Sequence, residues 1–329
     1  MDNRHVYVCC SLDVEEEGLF RGNYPIVQPS VTNLSCLCRM QPLMDLGLHA
    51  TLFCAYPVLA DDTAWAHVEA LASRSNVEVG LHLHHWNTPP LETPCRAATN
   101  AVPSIRVDND LLAAKLDTLV SQGRRRLGAA PTSFRMGRWD LHSCHWELLA
   151  RAGICADASV RPLHEGNAKN LGPDHFLAPH TPYLVKTCAG TIFELPLTVT
   201  PLASWITATV SRLSKPARAS LQKWGVLALL PVYHPLWAMK AVTELSYARG
   251  NNVISLTWHS SELMAGGNPR LPKDSDIQAL VHKIGKYVEW LRNRFEVEFV
   301  TLSELDTRLR AHVPVATCAS GDWSYRGKP

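Results

Sequence analysis

Short apolar runs alternate along this chain with stretches whose apolar residues recur every three or four positions. The runs predict strands buried on both faces, and the spaced stretches predict helices with one buried face. Residues 5–12 (HVYVCCSL) form the first predicted strand. Helices are predicted at 31–47 and 61–74, with strands at 50–54 and 77–83. After a loop at 91–106, a helix begins at Asp108 and carries Leu112, Leu116, Leu119 and Val120 on one face. Arg124, Arg125 and Arg126 sit near its C-terminus, where positive charge complements the helix dipole. A short strand runs into Phe134-Arg135, a helix is predicted at 140–152, and another short strand ends at Asp157. Residues 160–190 read as irregular, and 191–196 as a strand. A strand at 253–259, an amphipathic helix from about Ser275, a strand at 297–301 and a helix capped by Ser303 complete the pattern. Strand–helix alternation at this spacing predicts a parallel sheet or barrel of βα units. The expected organisation is one domain over 1–312, with an insertion at 197–245, and a loosely held tail at 313–329.

Composition narrows the function classes. The chain has 329 residues, 46% hydrophobic and 19% charged, which reads as a soluble globular protein. A net charge of +2 gives no general drive toward nucleic acid. No run is long and apolar enough for a membrane span, and the first residues lack the pattern of a signal peptide. Ten cysteines without a C-x-x-C pair read as reduced thiols, so a cytoplasmic location is the expectation. One segment stands apart. Between Leu195 and Thr243 there is no Asp or Glu, while Arg212, Lys215, Arg218, Lys223 and Lys240 accompany Trp205, Trp224 and Trp237. It reads either as a helical hairpin inserted on the barrel rim or as a cationic lid. In the second case residues 203–240 would touch a membrane surface or a lipid- or nucleotide-linked sugar.

Polar residues follow the apolar runs at Asp13/Glu15, His82/His84, Arg135, Asp157 and Trp258-His259. In βα barrels, catalytic groups gather at the C-terminal ends of the strands. His82 and His84 share a strand face, because side chains alternate along an extended chain. Two imidazoles on one face make half a zinc-type site, or else a histidine-rich turn bonded to backbone.

The order of these motifs resembles the polysaccharide deacetylase family, the NodB-like carbohydrate esterases of family 4. The matching pieces are Ser11-Leu12-Asp13-Val14-Glu15, Ala50-Thr51-Leu52-Phe53, Glu78-Val79-Gly80-Leu81-His82, Phe134-Arg135, Asp157-Ala158-Ser159 and Trp258-His259-Ser260-Ser261-Glu262-Leu263. The resemblance covers roughly residues 5–311 and implies a distorted (β/α)7 barrel, with the basic helical segment around 200–245 inserted. It further implies Asp13 as general base, Arg135 as its orienting cation, and His259 as the acid that protonates the leaving amine. Asp157 would orient His259. Glu15, His82 and His84 would hold a divalent metal, most simply Zn2+.

Three positions depart from the family pattern. Glu15 stands where the second aspartate of an Asp-Asp pair is usual. Trp86 occupies the usual place of the second histidine, leaving His84 as the substitute and His85 as the fallback. Met136-Gly137 follows Arg135 in place of proline. Trp86, Trp139 and Trp258 lie beside the motifs, as walls for a sugar ring or as ordinary core. The implied activity is removal of an N-acetyl group, or as a second choice an O-acetyl group, from a sugar or glycoconjugate. The alternatives are a metal-dependent amidohydrolase for a non-sugar amide, and a non-catalytic carbohydrate-binding protein on the same fold.

Overall fold

The computed structural model describes residues 4–91, 103–166, 172–203, 214–319 and 322–324. Its first strands are β1 (His5–Val14), β2 (Ala50–Ala55), β3 (Val77–Leu83), β4 (Ser133–Met136), β5 (Ala156–Asp157) and β6 (Tyr183–Lys186). They are followed by β7 (Thr191–Glu194), β8 (Val199–Pro201), β9 (Val226–Ala228), β10 (Val253–His259), β11 (Glu296–Phe299), β12 (Val315–Ala319) and β13 (Asp322–Ser324). Strands β10, β1, β2, β3, β4, β5 and β7 pair in that order, all parallel, and β11 lies parallel to the start of β1. The sheet curls until the chain after β7 meets β10. There Thr198 N–H donates to the Ser255 carbonyl at 3.3 Å, and Ser255 N–H donates to Thr198 Oγ1 at 2.7 Å. The result is a curled parallel half-barrel, in line with the predicted (β/α) barrel.

Side-chain alternation sorts each strand into two faces. Along β1, Val6, Val8, Cys10, Leu12 and Val14 join the large core between the sheet and its surrounding helices. Cys9 instead joins an inner cluster with Phe53, Ala156, Phe193, Val253, Leu302 and Leu305, closed by the helix Leu302–Leu309. The same inward face continues through Ser11 and Asp13. The barrel interior therefore changes from apolar to charged toward the C-terminal strand ends. Burying such apolar side chains contributes roughly 1.5–3 kcal/mol each, which supports the charged layer above them.

Several predicted elements differ in detail. Residues 31–47 form a 3-10 helix, Thr32–Met40, then a short α-helix, Gln41–Asp45, in which Pro42 occupies the first turn. The helix expected at 140–152 is α-helical only over Trp146–Arg151. Asp140 is held out of it by accepting from Ser104 N–H at 2.6 Å and by pairing with His142 Nε2 at 3.2 Å. Thr301, not Ser303, caps the last helix, and its hydroxyl accepts from Glu304 N–H. The region 160–190 contains β6, which pairs antiparallel with β7. The tail is tied to this edge at its start, since β12 pairs with β6 through Val315–Leu184 and Ala316–Val185.

Among its described residues, the inserted segment departs from the expected helical hairpin. It is an antiparallel ribbon of β8 and β9 with helices Lys215–Trp224 and Leu236–Ala248. The second helix buries Met239, Val242 and Thr243, and the Thr243 hydroxyl meets the Tyr287 hydroxyl of the helix Asp274–Arg294 at 2.5 Å. Trp224 and Trp237 remain 73% and 69% exposed. Trp205 lies outside the described residues. No helix among the described residues is long and apolar enough to cross a membrane.

Candidate active site

Strand register brings the sequence motifs together. Asp13 is the β1 partner of His259 on β10, and His82 on β3 is the partner of Arg135 on β4. All four side chains face the barrel interior, because their apolar strand neighbours Leu12, Leu81, Leu83, Phe134 and Trp258 face the outer core.

Arg135 is 1% exposed and fully engaged. Its Nη1 donates to Asp13 Oδ1 at 2.6 Å and Thr257 Oγ1 at 2.8 Å, its Nη2 to Ser11 Oγ at 2.8 Å, and its Nε to the Ala158 carbonyl at 2.8 Å. The guanidinium lies over the rings of Phe53 and Trp139, 4.4 Å and 4.9 Å from their centroids. Burial by itself would push the Asp13 carboxyl up; Arg135, then His82 and His259, outweigh it and hold the group ionised below its ordinary range.

Glu15, His82 and His84 place one ligand atom each within 4.8 Å of one another. Nε2 of His82 and Nε2 of His84 lie 3.2 Å and 3.3 Å from Glu15 Oε2. The other ring nitrogens are held from behind. His82 Nδ1 meets the Arg135 carbonyl at 3.0 Å, and His84 Nδ1 meets Glu16 at 2.9 Å. Such contacts fix the tautomer of a metal-ligating imidazole and leave Nε2 free to bind. Nε2 of His84 is buried without a hydrogen-bond partner, despite its closeness to Glu15. Burial would push the His84 imidazole down, yet Glu16 and Glu15 lift it to about 10. Two carboxylates drawing a proton onto a ligand set is the electrostatic demand that a divalent cation meets. The donors thus fit a divalent cation by geometry and by charge.

His84, not the fallback His85, completes this set. His85 packs edge-on against Trp86 with ring centroids 5.4 Å apart. Gly137 explains the departure after Arg135. A Cβ at that position would overlap the His84 ring, lying 2.9 Å from its Nε2, so the chain beyond β4 closes over His84 only as glycine.

His259 is 17% exposed at the cavity edge, with Nε2 3.6 Å from Asp13 Oδ2 and Nδ1 3.1 Å from Glu262 Oε2. Burial would lower its pKa; Glu262, Glu15 and Asp13 outweigh it and raise the imidazole to about 9. The carboxylate that orients His259 is therefore Glu262, and the expected role of Asp157 is corrected. Asp157 accepts from Ser159 N–H at 3.0 Å and Ser159 Oγ at 2.6 Å, and shares a buried layer with its register partner Glu194. Burial, and for Glu194 also the neighbouring Asp157, raises both carboxyls above their ordinary range.

The tryptophans divide. Trp139 lines the cavity. Trp258 is 1% exposed in the outer core, so it is no wall of the site. Trp86 stacks on His84 at 4.2 Å between centroids and donates from Nε1 to Glu16 at 3.1 Å, buttressing the ligand set. Glu16 was given no role by the sequence motifs. It is fully buried, and it also accepts from Asn87 Nδ2 at 2.7 Å. Asn33 and Ser260, also missed, clamp the Glu15 backbone. Asn33 Nδ2 donates to Glu15 O at 3.0 Å, and Glu15 N–H donates to Ser260 Oγ at 3.1 Å. Lys115 donates from Nζ to the carbonyls of Thr88 at 2.8 Å and Pro90 at 2.5 Å, securing the turn after the histidines.

Above these groups opens a cavity of about 470 Å³. Asp13, Glu15, His84 and His259 form its floor; Leu19, Phe20, Tyr24 and Trp139 are among its walls, and the inserted segment supplies Leu230, Tyr233 and His234.

No protein-family model and no curated protein sequence matches the chain. Solved structures do. A protein described as a polysaccharide deacetylase from Mycobacterium smegmatis superposes with a TM-score of 0.61 at 16% identity, over 98% of this chain and 96% of that one. The chain has the polysaccharide deacetylase fold. Another protein so described, from Pseudomonas aeruginosa, gives a TM-score of 0.56 at 11% identity, over 94% and 92% of the two chains. The fold is shared by PuuE allantoinase, at a TM-score of 0.57 and 13% identity over 94% and 91%. The similarity to a 4-alpha-glucanotransferase from Thermococcus litoralis spans 95% of this chain but 42% of that one, at 10% identity and a TM-score of 0.56.

Proposed function

We propose that this protein is a cytosolic, metal-dependent deacetylase that hydrolyses an N-acetyl group on a sugar or glycoconjugate. The observation that carries this reading is the position of Asp13. Its Oδ2 lies 4.0 Å from His82 Nε2 in the ligand set and 3.6 Å from His259 Nε2. A base thus sits between a cation site and an acid, as amide hydrolysis requires. When bound, a divalent cation, Zn2+ by the softness of its imidazole ligands, supplies polarisation of the acyl carbonyl and a lowered pKa of water.

Asp13, kept ionised by Arg135, takes the proton from the attacking water as its oxygen bonds to the acyl carbon. His259, held protonated by Glu262, gives its proton to the nitrogen as the carbon–nitrogen bond breaks. Glu262 orients the ring, because its Oε2 accepts from His259 Nδ1 at 3.1 Å and from the His259 backbone N–H at 3.0 Å. Trp139 and Phe20 offer flat apolar surface suited to a sugar face. Eight cysteines, Cys9, Cys10, Cys36, Cys38, Cys54, Cys144, Cys155 and Cys188, are free thiols, which suits a reducing compartment. Exposed Trp224 and Trp237, with Lys223 beside the Trp224 ring at 5.0 Å, support peripheral contact with the membrane that carries a lipid-linked substrate.

The test is metal content together with acetate release from a panel of N-acetyl sugars, O-acetyl sugars and non-sugar amides. Bound metal with release from N-acetyl sugars, abolished by Asp13→Asn, is the expected result. Release from a non-sugar amide alone would favour the amidohydrolase reading, consistent with the shared fold of allantoinase. A metal-free protein inactive on the whole panel would favour the carbohydrate-binding alternative.

A further inference from the structure

The walls of the cavity carry cations that the chemistry above does not use. Arg138 and Arg161 both line it. Neither has a carboxylate partner among the described residues. Arg138 lies over the Tyr24 ring, its guanidinium carbon 5.3 Å from the centroid. Arg161 is half-buried, and that burial weakens its hold on its proton, with the nearby Tyr233 phenol acting the other way. Of the internal segments outside the described residues, 167–171 and 204–213 contain no Asp or Glu, and 92–102 contains Glu92 alone. Two further cations stand behind the same wall. Arg270 lies 5.1 Å from the Tyr233 ring centroid, and Lys283 Nζ donates to the His234 carbonyl at 3.1 Å.

The acids of the cavity are accounted for. Asp13 is paired with Arg135, and Glu15 belongs to the cation site. A half-buried guanidinium facing a cavity without a counter-ion is costly to keep, and folded proteins normally pair it. The pairing partner that the cavity admits is a ligand. Guanidinium recognises phosphate and carboxylate by paired charge-assisted hydrogen bonds.

We propose that the upper wall of the cavity is an oxyanion subsite, in which Arg138 and Arg161 hold a phosphate or carboxylate group of the substrate. The proposal rests on the deacetylase reading only for the identity of the rest of the substrate. It narrows the class to an acetamido sugar bearing an anionic substituent and sets neutral glycans aside. Leu230, Tyr233 and His234 of the inserted segment complete this wall, so the insertion acts in substrate selection.

The experiment has two arms on the full-length, metal-loaded protein. In the first, isothermal titration measures binding of inorganic phosphate, N-acetylglucosamine 1-phosphate, N-acetylmuramic acid and methyl N-acetylglucosaminide. In the second, kcat/KM for acetate release is measured on the three sugars. The wild type is expected to favour one of the two charged sugars over the neutral one, and which one it favours separates phosphate from carboxylate. Losing one charged hydrogen-bonding partner is worth about 10- to 100-fold. Arg161→Gln and Arg138→Gln should each reduce the charged-over-neutral ratio by about that factor. Arg151→Gln, which removes an exposed cation paired with Glu147 away from the cavity, is the charge control and should leave the ratio unchanged. Equal handling of charged and neutral sugars by the wild type overturns the proposal, as does a ratio that Arg161→Gln and Arg138→Gln leave intact. Charge-dependent binding without acetate release would uphold the subsite and remove the deacetylase reading.

Discussion

The floor and the upper wall of one cavity are built on opposite rules. On the floor, the charged side chains are buried and paired several times over. Arg135 spends its donors on Asp13, Thr257, Ser11 and a backbone carbonyl, while Glu16 serves His84, Trp86 and Asn87. On the wall, Arg138 lies over the Tyr24 ring and Arg161 lines the cavity, neither with a carboxylate partner among the described residues, and in the inserted segment Trp224 and Trp237 stand in solvent. Reaction geometry tolerates little error, so the floor is over-determined by its neighbours. Recognition needs groups whose pairing is completed by the ligand, so the wall keeps them unspent. Strands build the floor, and the inserted segment supplies part of the wall.

The largest expected effect tests the floor. Asp13→Asn preserves shape and removes the base, and should lower kcat/KM by about 10²- to 10⁴-fold, with metal content unchanged. Arg135→Met should cost about 3–5 kcal/mol of stability in chemical denaturation, because Asp13 is left buried without its counter-charge. If either variant behaves as a surface change, the floor is not over-determined and the contrast fails.

Next in size is Gly137→Ala. The added methyl must displace the His84 ring, and metal affinity should fall about 10- to 100-fold, comparable to losing an outer support of a ligand. Competition with a chelator would measure it. A normal affinity would mean that the chain beyond β4 can yield.

The pH dependence of His259 is a smaller effect with a defined sign. Its pKa is raised to about 9 from the ordinary 6.5, so the folded state binds this proton more tightly than the unfolded chain. The stabilisation is complete below about pH 6.5 and is lost as pH rises through 9. The acid-dependent rate should fall over the same upper limb. Glu262→Gln should move that limb to lower pH, as read from kcat against pH. A limb that stays in place would assign the alkaline transition elsewhere.

The smallest effect belongs to the exposed tryptophans of the inserted segment. Trp224→Ala with Trp237→Ala should change stability by no more than about 0.5 kcal/mol, since both rings are exposed. The same pair should weaken co-sedimentation with anionic vesicles at low salt. Failure of the wild type to sediment would remove the membrane contact.

Much of the floor was legible in the chain. The inward series of Asp13, His82, Arg135 and His259 follows from two-residue alternation in runs already recognisable as strands. The choice of His84 over His85 follows from the same parity. What escaped were partners separated by long loops or hidden in charged runs. Glu16 and Glu17 look alike in sequence, yet Glu16 is fully buried against His84, while Glu17 bonds Ser30, Thr32 and the Asn33 backbone nearer the surface. Asp157 and Glu262 both stand in motifs quoted from the sequence, and only the turn after β10 selects Glu262. Trp258 was misplaced for a plain reason: it neighbours His259 in sequence and therefore points the opposite way.

By itself, then, the sequence determined the parallel strand–helix alternation and which side chains share an inward face, because both are local periodicities. Tertiary structure alone decided which acid serves which histidine, where Gly137 must lie against His84, and that two arginines line the cavity without a carboxylate partner among the described residues. Those are distances between strands and loops far apart in the chain, set by register and packing, and no local pattern encodes them.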